Sequence, residues 1–256
     1  MVIPRRALCI VPHYFGPNPA FVGGSTDLAN RAKRHRIVNR TIRQLRRLSA
    51  VIPFDIEVHG LAKASVVAID VDVSSISSNP DHILWAAFRL IGDRLGAYDY
   101  FLVVEDDILV PRPTLHRMLY AAADLPENEI LLPNRIVLIA GLPVVVDLTS
   151  IPNWTGYSRV WNGQTWHEAC NPHSAMLFMS RQQMQHVINT TDFSKPEISI
   201  GYYMASCFAK AHQNFRLLRE RTWLPRHFVY HQDFSARRKS RSRALILNGF
   251  RKRYEA

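Results

Sequence analysis

The most constraining stretch of the sequence is Tyr100 to Val104, five consecutive apolar residues that run directly into Glu105, Asp106 and Asp107. An uninterrupted apolar run of this length reads as a buried strand of an α/β sheet. Carboxylates placed directly after it leave the sheet at its carboxyl edge, where open α/β sheets bind ligands. Three adjacent carboxylates repel one another and are costly to hold together without a cation. Hard divalent ions such as Mg²⁺ or Mn²⁺ prefer oxygen donors and would relieve that repulsion. The plain alternative is a solvated acidic turn.

The surrounding pattern predicts the rest of the sheet. Ala7 to Val11 is a short apolar run that ends at Pro12 and reads as a first strand. His13 to Asn30 holds Gly16, Pro17, Pro19, Gly23 and Gly24 and reads as a loop, in a position that is often functional. Arg36 to Leu48 has helical spacing, with Val38, Ile42, Leu45 and Leu48 on one face and Arg36, Arg40, Arg43 and Arg47 on the other. Strands are predicted at Phe54 to His59 and Ser65 to Val71, and a helix from Pro80 to Leu95 closed by Gly96. Another helix begins near Pro113. This alternation predicts an α/β fold with a mostly parallel central sheet flanked by helices.

Further along, Leu131 to Leu148 reads as two strands turning near Gly141, and Ile151 to Asn171 as a loop carrying Trp154, Trp161 and Trp166. Ala175 to Met179 is predicted as a strand, Gln182 to Ile188 and Ile198 to Gln213 as helices, and His227 to His231 as a final strand.

Composition narrows the function classes. A chain of 256 residues that is 47% hydrophobic is too apolar to be disordered and suits one globular unit. Its longest apolar stretch, Ile136 to Val146, is interrupted by Gly141 and Pro143 and falls short of the roughly 20 residues of a membrane span. The start lacks the pattern of a secretory leader. Cys9, Cys170 and Cys207 are too dispersed for a zinc knuckle or a disulfide framework, which suits a cytoplasmic setting. The formal charge of +11 should attract polyanions, and most of the excess lies from Arg237 onward, where eight basic residues accompany one acid. That tail, 237–256, is either a solvated charge run or a means of holding the protein at the inner face of an anionic membrane.

The stretch from Trp85 to Leu119, with "DYFLVVEDDILV" between two helices, resembles the metal-binding region of the GT-A class of glycosyltransferases. There a strand delivers an Asp-x-Asp or a Glu-Asp-Asp variant. The resemblance implies a GT-A, Rossmann-like fold over residues 1–236, with a nucleotide-binding half up to residue 110 and a smaller acceptor-side half beyond it. It implies a nucleotide-sugar donor, a UDP-sugar being favoured, a Mn²⁺ or Mg²⁺ ion, and an acceptor hydroxyl on a glycan or lipid-linked sugar. By motif position Glu105 would face the nucleoside, Asp107 would bind the ion and Asp106 would assist. Glu in the first position departs from the commoner Asp and leaves the nucleotide open.

Other positions follow from the same resemblance. Pro12, His13 and Tyr14, at the end of the first strand, and Arg36 are candidates for contact with the nucleotide. His231 is the candidate to complete the metal's ligands, imidazole being a suitable partner for Mn²⁺ beside carboxylates. Ser174 belongs to a small-residue turn behind the donor sugar, and Trp154, Trp161 and Trp166 offer faces for sugar rings. For an inverting reaction Glu197 is the preferred general base and Asp192 the reserve; a retaining mechanism stays open.

Two rival classes fit parts of the sequence. A nucleic-acid-binding protein would use the arginine-rich helix and the basic tail, but it gives no role to three acids at a strand's end. A metal-dependent phosphoryl transferase would use the acids, but further strand-end acids of that kind are lacking. No Walker-type or Gly-x-Ser-x-Gly run is present.

Overall fold

The computed structural model describes residues 5–16, 28–139, 142–145, 154–169, 175–193, 216–221 and 227–232. Its centre is a five-stranded sheet made of β1 (Ala7–His13), β2 (Phe54–Gly60), β3 (Val71–Asp72), β4 (Tyr100–Val104) and β11 (Met176–Ser180). Their spatial order is β11-β4-β1-β2-β3. β1 runs parallel to β2 and β4, and β2 parallel to β3, while β11 closes the edge antiparallel to β4. The class is the mostly parallel α/β sheet expected from the sequence.

The two-residue period of the strands sorts their side chains into two cores. Leu8, Ile10, Phe101, Val103, Leu177 and Met179 face α2 (Ile83–Gly92). Ala7, Cys9, Val11, Leu102, Val104 and Phe178 face the other way, toward α1 (Leu28–Leu48) and α3 (Arg112–Asp124). Both faces are therefore covered, which is why these strands read as unbroken apolar runs. Cys9 lies unpaired in the second core, and burial pushes its thiol upward, away from reactivity.

Several boundaries differ from expectation. The first helix begins at Leu28, within the segment expected to be loop, and Arg36 sits inside it. Of the Ser65–Val71 segment only Val71 pairs as strand, together with Asp72 just beyond it. The helix expected over Pro80–Leu95 is a 3₁₀ turn at Pro80–His82 followed by α2. Asn79 caps that turn by accepting the Asp81 N–H. The segment read as a tryptophan-bearing loop is instead a hairpin, β9 (Trp154–Trp161) and β10 (Gln164–Ala169), turning at Asn162 and Gly163. Both turn residues have positive φ, at 50° and 70°, as a two-residue primed turn requires.

That hairpin belongs to a second sheet, order β6-β12-β10-β9, with β6 at Glu129–Leu132 and β12 at Arg216–Arg219. Its apolar face, Trp166, Leu131 and Leu218, packs on Ala121 and Leu125 at the end of α3. A third sheet, order β5-β13-β7-β8, comprises β5 (Ile108–Leu109), β7 (Asn134–Ile139), β8 (Leu142–Val145) and β13 (Phe228–His231). β7 and β8 form the hairpin expected around Gly141. A capping box at Ser180 and Gln183 starts α4 (Arg181–Thr190). No helix among the described residues is long and apolar enough to cross a membrane.

His227 stands edge-on to Trp166, 5.3 Å between ring centroids, with neither ring nitrogen hydrogen-bonded among the described residues. Burial, reinforced by the charges of Arg117 and Arg219, pushes its pKa down to about 3. The neutral ring is thus the folded form. Its contribution is fully present above the unfolded value near 6.5 and is lost as the pH falls below that, at about 1.4 kcal/mol per unit. Between pH 7 and pH 5 the native chain should lose about 2 kcal/mol more stability than a His227→Leu variant, measured by urea unfolding at both pH values.

Candidate metal centre

The acids sit where β4 ends. Glu105 donates its N–H to the Ala175 carbonyl at 2.9 Å, and the Ile108 N–H returns to the Glu105 carbonyl at 3.2 Å. The chain therefore turns tightly through Asp106 and Asp107 before β5 begins. β5 pairs antiparallel with β13, His231 opposite Ile108, and the Gln232 N–H binds the Asp107 carbonyl at 2.9 Å. This pairing brings His231 across 124 positions of sequence to the acids.

Glu105, Asp107 and His231 each present one donor atom, and the three atoms lie within 4.8 Å of one another. Asp107 Oδ1 is buried and accepts no hydrogen bond among the described residues, and the His231 Nε2 lies 3.8 Å from it. A buried carboxylate oxygen without a hydrogen bond is costly unless a cation approaches it. Two carboxylates and an imidazole form a donor set suited to Mn²⁺ or Mg²⁺. Burial and the neighbouring Asp107 charge push the Glu105 carboxyl up to about 8, against the opposing pull of Arg135 and Arg34. Burial raises Asp107 too, but His231 and Arg34 outweigh it and hold that carboxyl below its usual range.

Asp106 faces the protein. Its Oδ2 accepts from the His13 Nδ1 at 2.5 Å, and its Oδ1 is paired with Arg34. The opposite nitrogen of His13, Nε2, accepts the Val66 N–H at 3.2 Å, which places the ring proton on Nδ1. Arg34 then spans to Asp107 Oδ2 at 3.0 Å. A continuous relay, Val66 to His13 to Asp106 to Arg34 to Asp107, thus orients the carboxylate whose other oxygen faces Glu105 and His231. His13 is held in place by the register of β1 on β2, where it stands opposite Gly60. A Cβ at position 60 would come within 2.5 Å of the His13 carbonyl oxygen.

Expectation and structure part at several residues. Glu105, expected to face the nucleoside, lies with Asp107 and His231 in the candidate donor triad. Both oxygens of Asp106 are occupied by protein partners, and His13 is 1% exposed, so neither is open to a nucleotide. Arg36 is exposed, and the arginine that reaches the acids is Arg34, two residues earlier. Arg34 lies one turn before Val38 on the apolar side of the helix, a position that marks it from the sequence. Trp166 is 1% exposed and has no open face for a sugar. Trp161 is half-buried and donates its indole N–H to Asp124 at 2.6 Å, while Trp154 is half-buried beneath the Arg221 guanidinium. Pro12 and Tyr14 are half-buried at the end of β1, and Asp192 is exposed just beyond α4. Glu197, Ser174, the predicted 198–213 helix and the 237–256 tail lie outside the described residues.

The relay gives a direct prediction. Lysine at position 34 would keep the charge but could not span two carboxylates in the planar manner of a guanidinium. Arg34→Lys is expected to weaken Mn²⁺ affinity about 10- to 100-fold, read by calorimetry, with the far-ultraviolet circular dichroism unchanged.

No protein-family model and no curated protein matches the chain. Solved structures with a similar arrangement of elements include a glycosyltransferase involved in the glycosylation of the major capsid of PBCV-1. It is 10% identical, with 94% of this chain and 100% of that one covered and a TM-score of 0.40. Another is GalNAc-T7 with UDP, GalNAc and Mn²⁺, 12% identical, with 90% of this chain and 44% of that one covered and a TM-score of 0.46. A third is a nucleotide-diphospho-sugar transferase from Desulfovibrio desulfuricans G20, 11% identical, with 95% and 94% covered and a TM-score of 0.38.

Proposed function

We propose that this chain is a metal-dependent glycosyltransferase that moves a sugar from a nucleoside-diphosphate donor to an acceptor hydroxyl, with a UDP-sugar as the favoured donor. The observation that carries this reading is the Glu105, Asp107 and His231 triad, gathered within 4.8 Å at the carboxyl end of the parallel strand β4. It coincides with the one segment of sequence that resembles the GT-A metal motif.

Asp107, Glu105 and His231 would hold Mn²⁺ or Mg²⁺, which supplies Lewis-acid neutralisation of the diphosphate as the glycosidic bond to it breaks. The protein's own part is positional. Arg34 and Asp106 fix the Asp107 carboxylate, and the half-buried Tyr14 at the end of β1 is the candidate platform for the base. Deprotonation of the acceptor hydroxyl in an inverting reaction falls to Glu197 or, in reserve, Asp192. Trp154 and Trp161 are the remaining candidates to contact a sugar ring, with Ser174 behind the donor. The acceptor would be a glycan or a lipid-linked sugar, and the setting the cytoplasm or the inner face of its membrane.

Calorimetric titration of UDP and of GDP, each with and without Mn²⁺, tests the reading. Mn²⁺-dependent binding of one nucleotide supports it and identifies the donor class. Binding of neither, with or without metal, would remove it.

A further inference from the structure

We propose that the exposed face of α1 is a docking surface for an anionic phospholipid membrane. Arg36, Arg40, Arg43 and Arg47 recur at intervals of four, three and four residues, which places all four within one narrow stripe of a 21-residue helix. The stripe is roughly 16 Å long at 1.5 Å per residue. All four are exposed, and none of them makes a hydrogen bond or an ion pair among the described residues. The helix contains no Asp or Glu.

This arrangement does not serve the helix itself. Like charges three and four residues apart destabilise an isolated helix by about 0.2–0.5 kcal/mol per pair. Only the Arg46 and Arg47 pair in the last turn gains from the helix dipole. Nor does the apolar face account for it, since Val38 and Leu45 are fully buried in the sheet's second core. The helix is therefore fixed to the body of the protein by one side and presents a row of guanidinium groups on the other.

The chemistry of that row selects among polyanions. Single-stranded nucleic acid is held in grooves with aromatic platforms, and duplex DNA is read by amide and guanidinium groups aimed into a groove. The exposed side of α1 is a ridge with no aromatic residue. Of its three carboxamides, Asn39 is bonded to the His35 carbonyl of the same helix, Gln44 reaches inward to Val110, and Asn30 stands in the first turn, off the arginine stripe. What is left is unspecific positive charge along a straight line, which suits a plane of anionic headgroups. With the apolar face already committed to the core, attachment would be electrostatic, without insertion, and sensitive to salt. Arg34, on the same helix, touches the acids of the metal centre, so docking along α1 would hold that centre near the bilayer surface.

Co-sedimentation of the full chain with vesicles tests this with no nucleotide or metal present, so its outcome is separable from that of the transferase reading. The native chain is expected to bind phosphatidylcholine vesicles containing phosphatidylglycerol, to ignore pure phosphatidylcholine, and to be released by high salt. An Arg40→Gln, Arg43→Gln, Arg47→Gln variant should bind the anionic vesicles about 10²-fold more weakly, from about fivefold per arginine. Glutamine has nearly the helix propensity of arginine, so circular dichroism should be unchanged. A parallel variant with Arg237, Arg238 and Lys239 changed to Gln separates the tail's share. Undiminished binding by the α1 variant, or loss confined to the tail variant, would overturn the proposal. Tighter binding of the native chain to a mixed-sequence DNA duplex or RNA strand than to the vesicles, at equal salt, would overturn it in favour of nucleic acid.

Discussion

Replacing Asp107 by Asn is expected to lower transfer activity about 10³-fold and to abolish metal-dependent nucleotide binding. Asp107 is the carboxylate at which the site converges. Its Oδ2 is held by Arg34, and its Oδ1 faces Glu105 and His231 without a hydrogen bond among the described residues. The amide is nearly the same shape but carries no charge, leaving one carboxylate and one imidazole for the cation. Neutralisation of a leaving diphosphate by a metal is worth several kcal/mol, and each 1.4 kcal/mol is tenfold in rate. Steady-state turnover, alongside Mn²⁺ titration of the same variant, measures both consequences. Undiminished Mn²⁺-dependent binding in Asp107→Asn would place the ion elsewhere.

Trp166→Ala is expected to destabilise the chain by about 3–5 kcal/mol, the usual cost of emptying a large aromatic site in a core. For a chain of this size that lowers the melting temperature by on the order of 10 °C. The indole is 1% exposed, packs with Leu131, Leu218, Ala121 and Leu125, donates to the Trp161 carbonyl at 3.3 Å and meets the edge of His227. A sugar-contacting tryptophan would behave in the opposite way, losing activity while keeping the melting temperature. Differential scanning fluorimetry beside a turnover assay distinguishes the two.

The parts of this fold that were legible in the sequence are those governed by a local rule. Tyr100–Val104 and Ala7–Val11 are strands buried on both faces, and a continuous apolar run is what such strands require. The acids after β4 and the histidine at the end of β13 could be singled out because each leaves an apolar run at a strand's end. Their meeting depends on the β5 and β13 pairing, a contact between distant segments that no local pattern carries.

Two differences have a readable cause. In the tryptophan segment the glycines and aromatics obscure the alternation of the two strands, so it reads as loop. Yet Asn162-Gly163 between the strands is the strongest short-range hairpin signal, and the backbone uses it for its two positive φ angles. Arg36 is the residue that the resemblance points to, on the outward face of the helix, whereas Arg34 is the one that meets the acids. An arginine on the inward face needs a buried anion to meet, and the paired Asp106 and Asp107 supply it. His13 was expected to meet a nucleotide because it ends the first strand. Its actual partner, Asp106, lies in the turn just after the neighbouring strand, and the parallel register of β1 with β4 brings the two together.

The most direct test of the central claim is the anomalous difference density of a crystal grown with UDP and Mn²⁺, collected near the manganese absorption edge. A single strong peak bounded by Glu105, Asp107 and His231, with the nucleotide's diphosphate against it, is the result expected here. A bound nucleotide with the manganese peak elsewhere, or with none at these three residues, would contradict it.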